Sequence, residues 1–82
     1  MEDKIWEILV DQGRLPADAM DQGDHVNLFQ IGLTSHANVN VMLALEEAFD
    51  VEFPETMLRK STFESVAAIR SALDVLLATA SA

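Results

Sequence analysis

The 82-residue sequence contains no cysteine. The chain itself therefore cannot supply a disulfide, a thiolate metal site or a cysteine nucleophile. The absence of cysteine is compatible with the reducing cytoplasm, where we expect this protein to act. The length predicts one small domain over residues 1–82, and a hydrophobic content of 50% excludes a disordered tail.

Basic residues are also scarce, with 5 lysines and arginines against 14 acidic residues and a net charge of −9. Nucleic acids and anionic membrane surfaces bind positive protein surfaces, so this composition argues against both as partners. It favours partners with basic patches, although the same charge also promotes plain solubility. No apolar run approaches a membrane-spanning length of about 18 residues, and no signal-peptide pattern opens the chain.

Groups that would support catalysis or metal binding are missing as well. His25 and His36 have no partner at metal-ligand spacing, and Asp21 and Asp24 do not have the spacing of a calcium loop. Ser35 and His36 are neighbours in sequence, but adjacent residues of a helix do not face each other. No glycine-rich phosphate loop occurs. We therefore predict that the chain is not an enzyme.

What the sequence does contain is helical periodicity. Apolar positions predict a first helix over Glu2–Gln12, which Gly13 ends, and Val39, Met42 and Phe49 mark a central helix. A capping box predicts the start of a last helix, which should fade near the C-terminus. The expected class is all-α, with three longer helices and one short helix. The longer helices are expected at Glu2–Gln12, at Ala37–Phe49 and from the capping box Ser61–Glu64 to about Ala78, and the short helix at Glu55–Lys60.

A long connection, Arg14–Thr34, separates the first two helices. Several apolar side chains are available to pin this loop to the core. We interpret Asp21 and Asp24 as a solvated turn. Trp6 is expected to be a half-buried packing residue at the margin of the first helix.

The stretch Ile31–His36 leads into the central helix. Gly32 permits a sharp turn, and Thr34 and Ser35 are both typical N-cap residues. The first turn of a helix has unpaired N–H groups and a partial positive charge, which stabilise an anion. Ser35 is therefore either a simple cap or a hydroxyl displayed where a phosphate-linked group would be stabilised.

The segments Leu28–Ser35 (LFQIGLTS) and Met42–Glu55 (MLALEEAFDVEFPE) resemble the acyl carrier protein family, as does Thr62–Val66 (TFESV). The match covers essentially the whole chain. The resemblance implies a four-helix bundle in which a separate transferase attaches 4′-phosphopantetheine from coenzyme A to Ser35. The arm ends in a thiol that carries acyl groups as thioesters, which accounts for a chain without cysteine. The broad family is associated with fatty acid biosynthesis and lipid metabolism.

Residues around the serine depart from the family pattern. The family usually has Asp-Ser-Leu where this chain has Thr34-Ser35-His36, and often has acids where Ala37, Asn38 and Asn40 stand. These differences argue against a housekeeping fatty-acid carrier and favour a specialised one. Gly-Leu-Thr-Ser together with Glu-Glu-Ala-Phe-Asp-Val-Glu-Phe-Pro resembles the stand-alone bacterial aminoacyl carrier proteins. That resemblance implies loading by a ligase similar to a truncated aminoacyl-tRNA synthetase.

The resemblance also implies a partner-binding surface on the central helix, formed by Thr34, His36, Val39, Leu43, Glu46 and Glu47. The apolar pair Val39 and Leu43 is equally compatible with burial in the core. Expected partners of the monomeric chain are the phosphopantetheinyl transferase, an acyl- or aminoacyl-loading ligase and acyl-using enzymes with basic patches. Two alternatives remain open: an unmodified acidic interaction module and, with least support, a small hydrolase.

Overall fold

The computed structural model describes residues 1–81, and side chains through residue 78. The segments with helical periodicity form three α-helices. These helices are α1 (Glu2–Asp11), α2 (Ser35–Phe49) and α3 (Val66–Ser81), and the connections contain 3-10 turns at Ala19–Gln22, Glu55–Met57 and Lys60–Phe63. Residues 1–81 include no strand. The all-α prediction is confirmed, and the short fourth helix takes the form of 3-10 turns. Within the described helices, none has the length and hydropathy to span a membrane.

One hydrophobic core joins the three helices and their connections. Its members include Ile5, Leu9, Leu28, Val41, Leu45, Phe63, Ile69 and Leu73, which are almost fully shielded from solvent. The rings of Phe53 and Phe63 pack edge to face with centroids 5.2 Å apart. Because Phe53 follows α2 and Phe63 precedes α3, this pair holds the connection between these helices against the core.

The inner face of α2 is formed by one stripe of apolar residues. Ala37, Val41 and Leu45 are its buried residues. Val39 is half exposed, and Met42 and Phe49 are only partly buried at the edge of the core. Residues spaced by four follow one stripe of a helix, and here the stripe that begins at Ala37 faces inward. Of the two alternatives left open for Val39, the exposed position is therefore the one observed.

The start of α3 differs from the prediction. The capping box expected at Ser61–Glu64 does not form, because Ser65 caps the helix by accepting a hydrogen bond from the Ala68 N–H at 3.1 Å. Glu64 instead accepts a bond from the Asn27 side chain at 3.0 Å. The helix continues past Ala78 to Ser81, and Ala82 lies outside the described residues.

Trp6 and Asp24 tie the long loop to two helices. Trp6 is buried rather than half buried, and its Nε1–H donates to Asp24 Oδ1 at 3.3 Å. The carbonyl of Asp24 accepts from the Ala67 N–H at 3.0 Å. Asp24 lies in an exposed turn, as predicted, and through these two bonds it also connects α1, the loop and α3, whereas Asp21 is exposed in the first 3-10 turn.

Gly13 is required by packing, because an added Cβ would lie 2.5 Å from the carbonyl oxygen of Leu9 and 3.1 Å from the side chains of Leu33 and Val41. At the end of α1, the left-handed backbone conformation is adopted by the next residue, Arg14, at a φ of 58°. The glycine thus lets the end of α1 lie close to the loop and α2, and this contact brings together the elements that precede and carry Ser35.

We expect Gly13→Ala to lower the free energy of unfolding by about 1–3 kcal/mol, because the methyl group must displace backbone and core atoms. Urea unfolding followed by circular dichroism measures this change. The neighbouring exposed substitution Gln12→Ala is the control and should stay within about 0.5 kcal/mol of the parent chain. Equal stability of the two variants would contradict the packing role of Gly13.

Candidate functional site

The two roles that the sequence left open for Ser35, a helix cap and a displayed hydroxyl, belong to two different residues. Thr34 is the N-cap, since its Oγ1 accepts a hydrogen bond from the Ala37 N–H at 3.0 Å. Ser35 is the first residue of the helix, and its side chain is exposed. Within the part of the chain that the structure describes, its hydroxyl has no hydrogen-bond partner. The Ser35 oxygen is thus accessible at the positive end of a 15-residue helix.

A chain of local hydrogen bonds fixes the loop that leads to Ser35. The Asn27 side-chain oxygen accepts from the N–H groups of Phe29 and Gln30 at 3.0 and 3.3 Å. The carbonyl of Leu28 accepts from the Leu33 N–H at 3.0 Å, and both leucines are buried. Gly32, at a φ of 126°, permits this tight return of the chain. The cap is therefore held by a loop that is itself anchored in the core.

A groove of about 300 Å³ opens beside Ser35. It lies between α2 and the segment that follows the second 3-10 turn, and its lining is mainly apolar with two cations: Phe29, Ser35, Asn38, Val39, Met42, Leu58, Arg59 and Lys60. The Lys60 ammonium lies 4.8 Å from the centre of the Phe29 ring. Such a groove can hold a chain with both an anionic and an apolar part.

Val39 and Leu43 are exposed on the outer face of α2, with 50% and 55% of their surfaces accessible. This excludes the alternative in which they join the core. His36 and Thr34 are exposed near the same end of the helix. Two large apolar side chains one helical turn apart and displayed to solvent are typical of a contact surface rather than of plain solubility.

The two glutamates predicted to flank this surface have different environments. Glu46 is partly buried, and its Oε2 accepts a hydrogen bond from the Phe53 N–H at 2.8 Å. Glu47 is exposed and lines a second groove on the side of α1. Glu46 therefore has an intramolecular role that the sequence did not reveal, because its partner lies seven positions further along the chain.

Sequence reasoning assigned no role in the site to Arg59 or Lys60 and expected Phe29 only to pin the loop to the core, although all three line the groove with Ser35. One signal was present: Arg59 and Lys60 are adjacent in a chain with only 5 basic residues. The residues with described coordinates include no group of three or more side chains suited to a metal ion.

The comparisons with known proteins agree with this geometry. The family described as "Phosphopantetheine attachment site", whose members carry covalently bound 4′-phosphopantetheine, matches residues 3–70. An aminoacyl carrier protein of Agrobacterium fabrum is 40% identical over 77 residues, which span 94% of this chain and 93% of the relative.

Solved structures give the same result. A carrier protein from Agrobacterium tumefaciens, solved with an engineered Bradyrhizobium japonicum glycine:[carrier protein] ligase and AMP, is 41% identical at a TM-score of 0.83, covering 90% of this chain and 99% of that one. A solution structure of an Agrobacterium tumefaciens protein is 40% identical at a TM-score of 0.74, covering 94% and 93%.

The names of these relatives refer to aminoacyl carriers and to a glycine ligase, and they do not support the association with fatty acid biosynthesis. They do support the interpretation of a specialised carrier. The match over residues 3–70, together with relatives aligned over most of their length, shows that the chain belongs to the phosphopantetheine-bearing carrier family.

Proposed function

We propose that Ser35 carries the 4′-phosphopantetheine arm and that an amino acid:[carrier protein] ligase loads this arm with a small amino acid. The observation that carries the proposal is the exposed Ser35 hydroxyl, which is unpartnered among the described residues because the adjacent Thr34 does the capping. A hydroxyl engaged in capping would have to leave the backbone N–H before it could be modified. Ser35 can be modified while the helix keeps its cap.

The residues around Ser35 fit an attached phosphate. The first turn of α2 contains no acidic side chain, and its unpaired N–H groups attract an anion. The groove beside Ser35 adds Arg59 and Lys60 on its opposite wall. When bound, the arm supplies a thiol for thioester formation, which the protein lacks because it has no cysteine.

The amino acid cargo is inferred from the relatives. The Agrobacterium fabrum relative is named as an aminoacyl carrier protein, and the Agrobacterium tumefaciens carrier was solved with a glycine ligase. Both alignments cover at least nine tenths of this chain. These names favour an aminoacyl thioester over a fatty acyl thioester, and a ligase of this type over a fatty-acid synthase component.

The docking surface for the transferase and the ligase is assigned to the outer face of α2. Val39 and Leu43 supply its apolar part beside Ser35, and Thr34 and His36 form its rim at the start of the helix. Glu47 is exposed on the flank of this helix. Glu46 contributes mainly through its bond to the Phe53 N–H, which fixes the chain after α2.

Incubation of the purified chain with coenzyme A and a promiscuous phosphopantetheinyl transferase should add the mass of one phosphopantetheine group, and Ser35→Ala should abolish this increment. Intact-mass spectrometry measures it. Ser61→Ala, which removes another exposed hydroxyl, should be modified like the parent chain. An increment that persists in Ser35→Ala would contradict the assignment, and no increment in any chain would favour an unmodified interaction module.

Thr34→Ala separates the cap from the modification. It should retain one phosphopantetheine increment while losing about 1 kcal/mol of unfolding free energy, because the Ala37 N–H loses its acceptor. Mass spectrometry and urea unfolding measure the two effects on the same sample. A Thr34→Ala variant that takes up no arm would show that the hydroxyl of Thr34 is part of the modification site itself.

Substitution of the apolar pair should weaken docking of the ligase. We expect Leu43→Ala to raise the KM of a cognate ligase for the holo-protein with an unloaded arm about tenfold, since a central apolar contact is removed. Val39→Ala should also raise this KM, and Val75→Ala, at a similarly exposed valine of α3, is its control and should leave KM unchanged. Steady-state kinetics at low and high salt provide the measurement.

Salt dependence distinguishes the apolar contact from a charge contact. If Val39 and Leu43 dominate, KM changes little as ionic strength rises, and Glu47→Gln has a small effect. A KM that climbs steeply with salt, together with a large effect of Glu47→Gln, would assign recognition to the acidic flank instead.

A further inference from the structure

Arg59 and Lys60 are placed unusually for this chain. They are two of only 5 basic residues, they are adjacent, and both line the groove that contains Ser35. The first turn of α2 on the other wall contains no acid. In a chain with a net charge of −9, this groove is therefore a local region of positive potential.

The charges of Arg59 and Lys60 are not neutralised by the protein. Arg70 pairs with Glu2 and lies 3.9 Å from Asp74, as is common for a cation on a strongly acidic surface. In the part of the chain that the structure describes, neither Arg59 nor Lys60 has a carboxylate partner within 4.0 Å. Both are exposed toward solvent, so an anion can reach them without breaking an ion pair.

Local contacts nevertheless hold the two cations in place. The Arg59 Nε–H donates to the Thr56 carbonyl at 3.0 Å, which orients the guanidinium and leaves its terminal N–H groups available. The Lys60 ammonium lies 4.8 Å from the centre of the Phe29 ring, where the electrons of the ring face attract the cation. Partly ordered cations lose less conformational entropy when they bind an anion.

The anion that suits these groups is a phosphate ester. A guanidinium donates two parallel hydrogen bonds to phosphate oxygens, and an ammonium adds a point charge. The start of α2 contributes its free N–H groups from the opposite wall. A carboxylate ligand would match the charge, but the one hydroxyl in the groove that can be esterified, Ser35, places a phosphodiester at this spot.

We propose that Arg59 and Lys60 bind the phosphodiester that links the arm to Ser35, and that they direct the arm along the Leu58–Lys60 wall of the groove. This inference rests on the proposed function, because it requires the arm on Ser35. The two cations act as positioning residues: they fix the first bonds of the arm and leave the distal thiol free to reach a partner enzyme.

The test uses holo-protein whose modification has been confirmed by intact mass. Phosphorus-31 NMR reports the chemical shift of the phosphodiester, and the proton–nitrogen spectrum reports the Arg59 Nε–H signal in the apo and holo forms. In the parent chain we expect the phosphorus signal to differ from that of the same protein unfolded in urea, and to approach that position as sodium chloride is added. The Arg59 Nε–H signal should shift between apo and holo forms.

In the double variant Arg59→Gln/Lys60→Gln, the phosphorus signal should lie near its unfolded position at all salt concentrations. Arg59→Lys should give an intermediate shift, because it keeps the charge and loses the forked donor. Lys4→Gln removes one positive charge on α1, away from the groove, and should match the parent chain.

The outcomes separate this inference from the proposed function. A confirmed phosphopantetheine increment together with identical phosphorus shifts in the parent and double variant would overturn the inference and leave Ser35 as the attachment site. A chain that takes up no arm would overturn both. A double variant with dispersed amide signals like those of the parent shows that any change in the phosphorus signal comes from lost contacts and not from lost folding.

Discussion

The hydrogen bond from the Ala37 N–H to the Thr34 hydroxyl is the interaction on which the site depends. It ends the loop, starts α2 and uses the side chain that precedes Ser35. The following hydroxyl is then free of any structural task among the described residues. A fold that assigned both hydroxyls to helix capping would have to weaken its central helix, by about 1 kcal/mol, whenever the serine was modified. Under the proposed function, modification of Ser35 leaves the cap at Thr34 in place, because the two hydroxyls belong to different residues.

The cap works because the loop before it cannot move independently of the core. Asn27 organises the turn through its own side chain and is bound to Glu64 near the start of α3. Leu28 and Leu33 bury the two ends of the turn. Buried anchors on both sides define the position of the cap and of the hydroxyl that follows it, and such support is what a pre-organised site requires.

Local chemistry determined which parts of this arrangement the sequence could predict. The positions of the helices follow from periodicity, whereas the interpretation of Ser35 as an attachment site depends on the resemblance to the carrier family, because the neighbouring residues alone are also compatible with a simple cap. The errors arose where residues distant in sequence meet: Ser65 caps α3 in place of the predicted capping box while Glu64 binds Asn27, and Trp6 is buried where it donates to Asp24 of the long loop. The groove was missed for the same reason, since Phe29, Ser35 and Lys60 meet only after folding.

The net charge of the protein and the local charges beside Ser35 have opposite signs. The net charge of −9 attracts basic enzymes from beyond contact range, whereas the surface next to Ser35 offers no acid in the first turn of α2 and presents Arg59 and Lys60. An enzyme whose basic patch must lie against that turn is therefore attracted by the net negative charge of the protein but repelled by Arg59 and Lys60 next to Ser35. An enzyme that binds the apolar Val39 and Leu43 meets no such opposition. Under the proposed function, this mismatch is a basis for selectivity, because rejection of the wrong partner requires a repulsive contact as well as an attractive one.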